Sequence, residues 1–155
     1  MVRSITVGPG GNWLVVGHSS GIISVLDVRT GFMLGSWVAH DGEVLQTKAF
    51  SDKYFVSSSL DHSVAVWAAE DAKLHSHLKG ATEPVTCLNL SQGEVISGTT
   101  ANKINIHSSI DQRASFTSTK LRSDTFRGML SSMAVLPLNR LLLLGSDNGS
   151  ITLHC

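Results

Sequence analysis

The chain is poor in the residues on which several function classes depend. Its 155 residues include two cysteines and three prolines, and only 15% are Asp, Glu, Lys or Arg. Cys87 lies in an apolar strand-like segment and Cys155 at the last position, which is no disulfide framework and suits a reducing compartment. Twelve basic residues balance twelve acidic ones, so no charge excess invites nucleic acid or an anionic bilayer. The longest leucine run, Leu141 to Leu144, is far too short to cross a membrane. No phosphate-cradling loop, zinc-ligand set or pair of catalytic carboxylates occurs, so no catalytic residue, cofactor or metal is predicted. The 42% apolar content is that of a globular chain, and scarce proline with 14 glycines fits many short strands joined by tight turns.

Self-similarity with a period of about 40 residues organises what is present. Leu26, Trp67, His107 and His154 stand at equivalent points of four units, spaced by 41, 40 and 47 residues. Each unit reads strand, turn, strand, tight turn, strand, turn, strand. The first runs RSITVG, WLVVGH, IISVLDV and FMLGSWVAH, and its third segment is apolar on both faces, as a strand covered on two sides requires. The second ends on LHSHL, with Leu74, Ser76 and Leu78 on one face and His75 and His77 on the other. The third runs PVTCLNL, VISGTT and KINIH, with a last strand predicted near 114–118. The fourth runs MLSSMAVLP, a turn at Leu138–Arg140, LLLLGS and SITLHC, and has no fourth strand. The units span about 1–38, 39–79, 80–119 and 128–155.

The most specific motif is Ser57–Trp67, SSSLDHSVAVW, read as two strands around a tight turn. Ser57 precedes Asp61 by four residues, and Trp67 follows it by six. A buried Trp67 ring needs an acceptor for its indole N–H. With His40 upstream, the set resembles the hydrogen-bonded tetrad of the WD40 repeat family. The resemblance implies that Ser57 accepts from Trp67 and donates to His40, whose second nitrogen Asp61 holds. An unpaired member would cost about 1–3 kcal/mol, so the four residues are read as structural. Ser57, His40 and Asp61 also invite a hydrolase reading, which needs Ser57 to be reactive. The first unit has Val16, Ser20 and Leu26 at the Ser, Asp and Trp positions, and the third has Ser97, Ala101 and His107, so these units rely on apolar packing.

The predicted fold is all-β: a WD40 β-propeller of about four blades, the last lacking its outer strand, as the C-terminal part of a larger seven-bladed ring. An open stack exposes two apolar faces and a strand edge, which predicts self-association or partner blades. More narrowly, LDVRTGFMLGSWVAHDGEVLQ, VSSSLDHSVAVW, TTANKINIHSS and TKLRSDTFRGMLSSMAVLPLNRLLLLGSDNGSI resemble the C-terminal propeller of a family of BEACH-domain WD-repeat proteins. That resemblance implies a non-catalytic protein-interaction scaffold in endosome maturation and in endolysosomal and autophagic trafficking. It implies a sister WD-repeat protein and a class III phosphatidylinositol 3-kinase complex as partners. It places the protein in the cytoplasm at endosomal or lysosomal membranes, with membrane association at most peripheral.

Candidate contact residues fall in the loops. Asp41, Glu43, Leu60 and His62 lie on the propeller end formed by the connections between blades and by the turns joining second to third strands. Lys120, Arg122, Phe126 and Arg127 occupy the long connection before the fourth unit, where cations beside an aromatic suit an acidic segment or a lipid phosphate. Phe126-Arg127-Gly128 resembles the Phe-Arg-Arg-Gly motif of phosphoinositide-binding propellers, one arginine short. Asp27-Val28-Arg29 resembles the end of the box that docks some WD proteins on a cullin-ligase adaptor, although Leu26 replaces its Trp. The alternative function is therefore substrate receptor of a cullin-RING ubiquitin ligase. His75 and His77 fall short of a zinc set and mark an exposed strand face.

Overall fold

The computed structural model describes residues 1–136 and 141–155; the turn predicted at Leu138–Arg140 lies outside the described residues. Among the described residues every regular element is a strand. The first sheet contains β1 (Val2–Val7), β2 (Trp13–His18), β3 (Ile22–Asp27) and β4 (Met33–Val38). The second contains β5 (Val44–Ala49), β6 (Tyr54–Ser59), β7 (Val64–Ala68) and β8 (Leu74–Leu78). The third contains β9 (Val85–Ser91), β10 (Glu94–Thr99), β11 (Lys103–His107) and β12 (Phe116–Lys120), and the last β13 (Leu130–Leu136), β14 (Leu141–Ser146) and β15 (Ile151–His154). Each sheet is an antiparallel meander in chain order, and the sheets stack as the blades of an open, partial β-propeller. The strand predicted near 114–118 begins two residues later, because a turn in which Ala114 N–H donates to the Asp111 carbonyl occupies its first positions.

The repeat is written in the strand register as well as in the side chains. Leu26, Trp67, His107 and His154 pair with Leu14, Phe55, Val95 and Leu142, at equivalent rungs of the four sheets. The first strand of every sheet carries a bulge at its second residue: Arg3, Leu45, Thr86 and Ser131 each have no opposite partner. A bulge bends the strand and raises its twist, so the four innermost strands are curved by the same device. Each turn between second and third strands also has one left-handed residue at the same place: Gly21, His62, Asn102 and Gly149, with φ of 80°, 72°, 57° and 86°. Two of these four are not glycine, and His62 adopts a backbone conformation that few side chains accept.

Burial explains the strand compositions. The two inner sheets are covered on both faces, so Phe55 to Ser59 of β6 and Val64 to Trp67 of β7 are buried without alternation. Three apolar cores lie between successive sheets: one around Val15, Phe55 and Trp67, one around Val56, Leu88 and Val95, and one around Ile104, Leu130 and Leu144. The outward faces of the first and fourth sheets are open, leaving Ile5 60% and Ile151 72% exposed. Polar side chains stitch the innermost strands to one another. Thr47 Oγ1 donates to Ser4 Oγ at 3.2 Å, Leu88 N–H to Gln46 Oε1 at 2.8 Å, and Thr86 Oγ1 to the Leu130 carbonyl at 2.8 Å.

Gly98 marks a close contact between the third and fourth sheets. A Cβ there would lie 2.3 Å from Leu130 Cδ2 and 2.6 Å from Cys87 Sγ, both buried. Gly98→Ala is expected to cost about 1–3 kcal/mol by overpacking, seen as a lower urea midpoint. Gly31→Ala tests backbone strain alone, since a Cβ at Gly31 (φ 74°) meets open space. An unchanged midpoint for Gly98→Ala would contradict the close approach of the two sheets.

Candidate functional site

The geometry around Ser57 begins with one buried donor. Trp67 packs its ring against Trp37, with centroids 5.3 Å apart, in the core between the first two sheets. Its indole N–H donates to Ser57 Oγ at 2.8 Å, and the Ser57 hydroxyl lies 2.7 Å from His40 Nε2. Because Ser57 already accepts from Trp67, its proton goes to Nε2, which fixes the His40 proton on Nδ1. Nδ1 then donates toward Ser63 Oγ at 2.8 Å and Asp61 Oδ2 at 3.2 Å. The same carboxylate accepts the Ser63 hydroxyl and, at 3.0 Å, the Asp41 backbone N–H. The chain of bonds runs from the core to the loop surface and ties β7 and β6 to the connection entering β5. Ser63 is a fifth member that the four-residue motif did not include; its signal was Asp61-x-Ser63, a spacing at which the carboxylate accepts both the backbone N–H and the hydroxyl two residues on.

The electrostatics follow from depth. Burial pushes the His40 imidazole below its ordinary value, and the facing Asp61 carboxylate opposes that push without overcoming it. Partial burial pushes Asp61 upward, but the Ser63 hydroxyl and N–H, His40 and the Asp41 N–H together hold it below the usual carboxylate range. Ser57 has no exposed surface and both its bonds are used, so it is not available as a nucleophile. Cys87 is likewise sealed, its thiol pushed up to about 11 by burial.

The other sheets answer the same positions differently. In the third, His107 takes the Trp position, stacks on Phe116 with centroids 5.2 Å apart, and its Nε2 lies 2.6 Å from the Lys79 carbonyl. Ser97, at the Ser57 position, has a buried hydroxyl with no partner among the described residues, and the same holds for the buried His107 Nδ1 and Asn105 Oδ1. In the fourth, the Ser146 hydroxyl donates to the Arg127 carbonyl at 2.8 Å, and Asn148 Oδ1 accepts the Ser150 N–H at 3.0 Å. This Ser146-x-Asn148-x-Ser150 turn parallels Ser59-x-Asp61-x-Ser63.

Of the candidate contact residues, Asp41, Leu60 and His62 are exposed at the end of the second sheet, with Leu60 at 45%. They are brought together by the Asp41 N–H to Asp61 bond and by the Leu60 N–H, which donates to the Glu43 carbonyl at 3.0 Å. Glu43 is half-buried and paired with Arg3. Lys120, Arg122 and Arg127 are exposed, but Arg122 is held by Asp124 through two bonds of 2.8 and 3.2 Å. Phe126 departs from its predicted place beside the cations. It is 3% exposed and packs in the core with Leu121 and Leu130, because a five-residue turn closed by Phe126 N–H to the Arg122 carbonyl tucks the ring inward. It is therefore unavailable to a partner. His75 and His77 do not share a site: His75 Nε2 faces Asp111 at 3.4 Å, while His77 borders the His40 loop. Among the described residues no group of three or more His, Cys, Asp or Glu could hold a metal. Asp27 Oδ1 accepts the Arg29 N–H at 2.8 Å, closing the turn before β4.

No protein-family model matches the chain. WD repeat-containing protein 81 of Rattus norvegicus is 48% identical over 153 residues, and that of Homo sapiens 46%; each alignment covers 99% of this chain and 8% of the relative. The chain thus spans about 8% of the length of the curated relatives it matches. Suppressor of organelle fusion 2 of Caenorhabditis elegans is 23% identical, over 100% of this chain and 11% of that protein. Among solved structures, the WD40 β-propeller domain of Doa1 superposes with a TM-score of 0.81 at 15% identity, covering 98% of this chain and 50% of that one. The computationally designed Ika4 protein gives 0.79 at 22%, covering 99% and 90%. These structures share the propeller fold.

Two outcomes follow from the bonding. Ser57→Ala strands the Trp67 N–H and His40 Nε2 and is expected to cost at least about 2 kcal/mol. Ser97→Ala, the same change at the equivalent position of the third sheet, removes an unpartnered hydroxyl and should be neutral within about 0.5 kcal/mol or stabilising. Equal losses in urea denaturation would refute the assignment. The depressed His40 and His107 values mean that the unfolded chain binds protons first. Their contribution is full above about pH 6.5, the unfolded value, and is lost as pH falls through the folded values; that of Asp61 is lost below about pH 4. The urea midpoint should fall between about pH 7.5 and 5, with a shallower slope in His40→Asn. A flat profile contradicts the burial of the neutral rings.

Proposed function

We propose that this chain, a stretch of WD-repeat propeller similar along 99% of its length to WD repeat-containing protein 81, presents its Asp41–Leu60–His62 loop surface to protein partners of endosomal membranes. WD40 propellers are protein-interaction scaffolds and typically non-catalytic, and the finer reading concerns where and with whom this one works. The observation that carries it is the braced loop pair. The exposed Leu60, Asp41 and His62 sit on turns that Asp61 ties to the buried His40. A preorganised apolar contact rimmed by polar groups loses little entropy on binding.

The cellular role is endosome maturation and endolysosomal and autophagic trafficking, with regulation of a class III phosphatidylinositol 3-kinase complex and a sister WD-repeat protein as companion. What supports it is the segment-by-segment likeness read from the sequence and a more distant relative whose name refers to organelle fusion. The location is cytoplasmic, at endosomal or lysosomal membranes, with contact through partners.

The test compares the chain with Asp41→Asn/Leu60→Ser in co-purification from endosome-enriched fractions. The expected result is that subunits of the lipid-kinase complex or endosomal WD-repeat proteins are recovered, at least about tenfold less by the variant, a loss of about 1.4 kcal/mol. Unchanged thermal midpoints confirm folding of both. Equal recovery by the two proteins, or recovery of no endosomal protein, overturns the reading.

A further inference from the structure

The opposite end of the blades carries a second surface that the loop reading does not use. The turns after β1, β3, β5 and β7 enclose a groove of about 520 Å³ between the first two sheets. Its floor is apolar: the buried ring of Trp13 and the methyl of Ala69. One wall is Leu34, 54% exposed.

The rim selects the sign of that partner. Asp27, Asp52 and Glu70 border the groove, and Arg29 is the single cation among its lining residues. The chain as a whole balances 12 acids with 12 bases, so this excess is local. The carboxylates are also fixed in different degrees. Asp52 is held by two contacts across the chain, its Oδ1 accepting the Gly10 N–H at 3.0 Å and its carbonyl accepting the Trp13 indole N–H at 2.9 Å. Asp27 is held by its turn, as described, and Glu70 makes no bond or ion pair among the described residues. A carboxylate fixed by its neighbours, a second without a bond among the described residues, and the apolar Trp13 and Ala69 beside them suit a cation on an aliphatic stem.

We infer that this groove is a docking site for an extended protein segment in which an arginine or lysine neighbours a large apolar side chain. The apolar side chain covers Leu34. The stem of the basic residue crosses the Trp13 floor, and its head sits between Asp52 and Glu70. The inference is independent of the trafficking role, because it concerns the other end of the propeller.

The probe is a fluorescein-labelled ten-residue peptide alternating leucine and arginine within a Gly-Ser backbone, read by fluorescence anisotropy against the whole chain. Controls replace every arginine by glutamate, or every leucine by serine. Saturable binding is expected for the leucine–arginine peptide, weakening with added salt and at least about tenfold weaker for either control. Asp52→Asn/Glu70→Gln keeps the Gly10 bond and should weaken binding about tenfold or more with an unchanged melting temperature; Leu34→Ser should do the same. Asp41→Asn, on the other end, should bind like the parent, so failure here is separable from failure of the endosomal reading. Equal binding of the glutamate peptide, undiminished binding by Asp52→Asn/Glu70→Gln, or no saturation by about 1 mM peptide overturns the site.

Discussion

Two-sided burial of the inner sheets is the constraint on which the rest depends. A sheet whose strands are apolar on both faces must be covered on both, and the second sheet meets this by lying between the Trp13–Val15–Ile23 face of the first and the Leu88–Val95 face of the third. At roughly 25 cal/mol per Å² of apolar area removed from water, such faces outweigh any single polar contact. The separation of the cores has a second effect: among the described residues each sheet packs on its neighbours in chain order, so the stack behaves as a one-dimensional array in which each interface contributes separately.

Within that frame the polar network serves specificity. Trp67 and His40 are too large and too polar to be buried unpaired, and the Ser57 hydroxyl joins them by accepting from one and donating to the other. The same bonds carry order outward, since Asp61 holds both His40 and the backbone of Asp41. The loop end of the second sheet is rigid because its base is in the core. The third sheet lacks this continuity: its His107 proton goes to a backbone carbonyl and Ser97 has no partner among the described residues, so its loops are held by other means, such as the Lys103–Glu83 pair at 2.7 Å.

The fold was legible because its signals are redundant. Forty-residue spacing, two-sided apolar strands and one chemically unusual quartet point to the same arrangement, and the register of Leu26, Trp67, His107 and His154 agrees with the spacing read from their positions. What was not legible depends on the backbone or on distant contacts. The bulges at Arg3, Leu45, Thr86 and Ser131 share no residue type, because the extra residue is defined by what it fails to pair with. Phe126 looked like a surface aromatic among cations, and only the turn that reverses the chain beside it sends the ring inward. The groove beside Trp13 is assembled from four turns far apart in sequence, and Asp27-Val28-Arg29, the one motif read among them, does not reveal the other three.

The repeated bulge bears on how such a chain changes length over evolutionary time. A one-residue insertion within a strand would turn every following side chain to the wrong face, so the ladders resist indels. The bulge already takes up an odd residue at the same place in the first strand of every sheet, so the ladders on either side of it keep one register. Length variation is then pushed into the connections between strands. The spacing of 47 residues before the last repeat, against 41 and 40 earlier, goes with longer connections at residues 108–115, between β11 and β12, and at residues 121–129, before the fourth sheet. The places where a residue can be added without turning a face are therefore the connections, not the ladders.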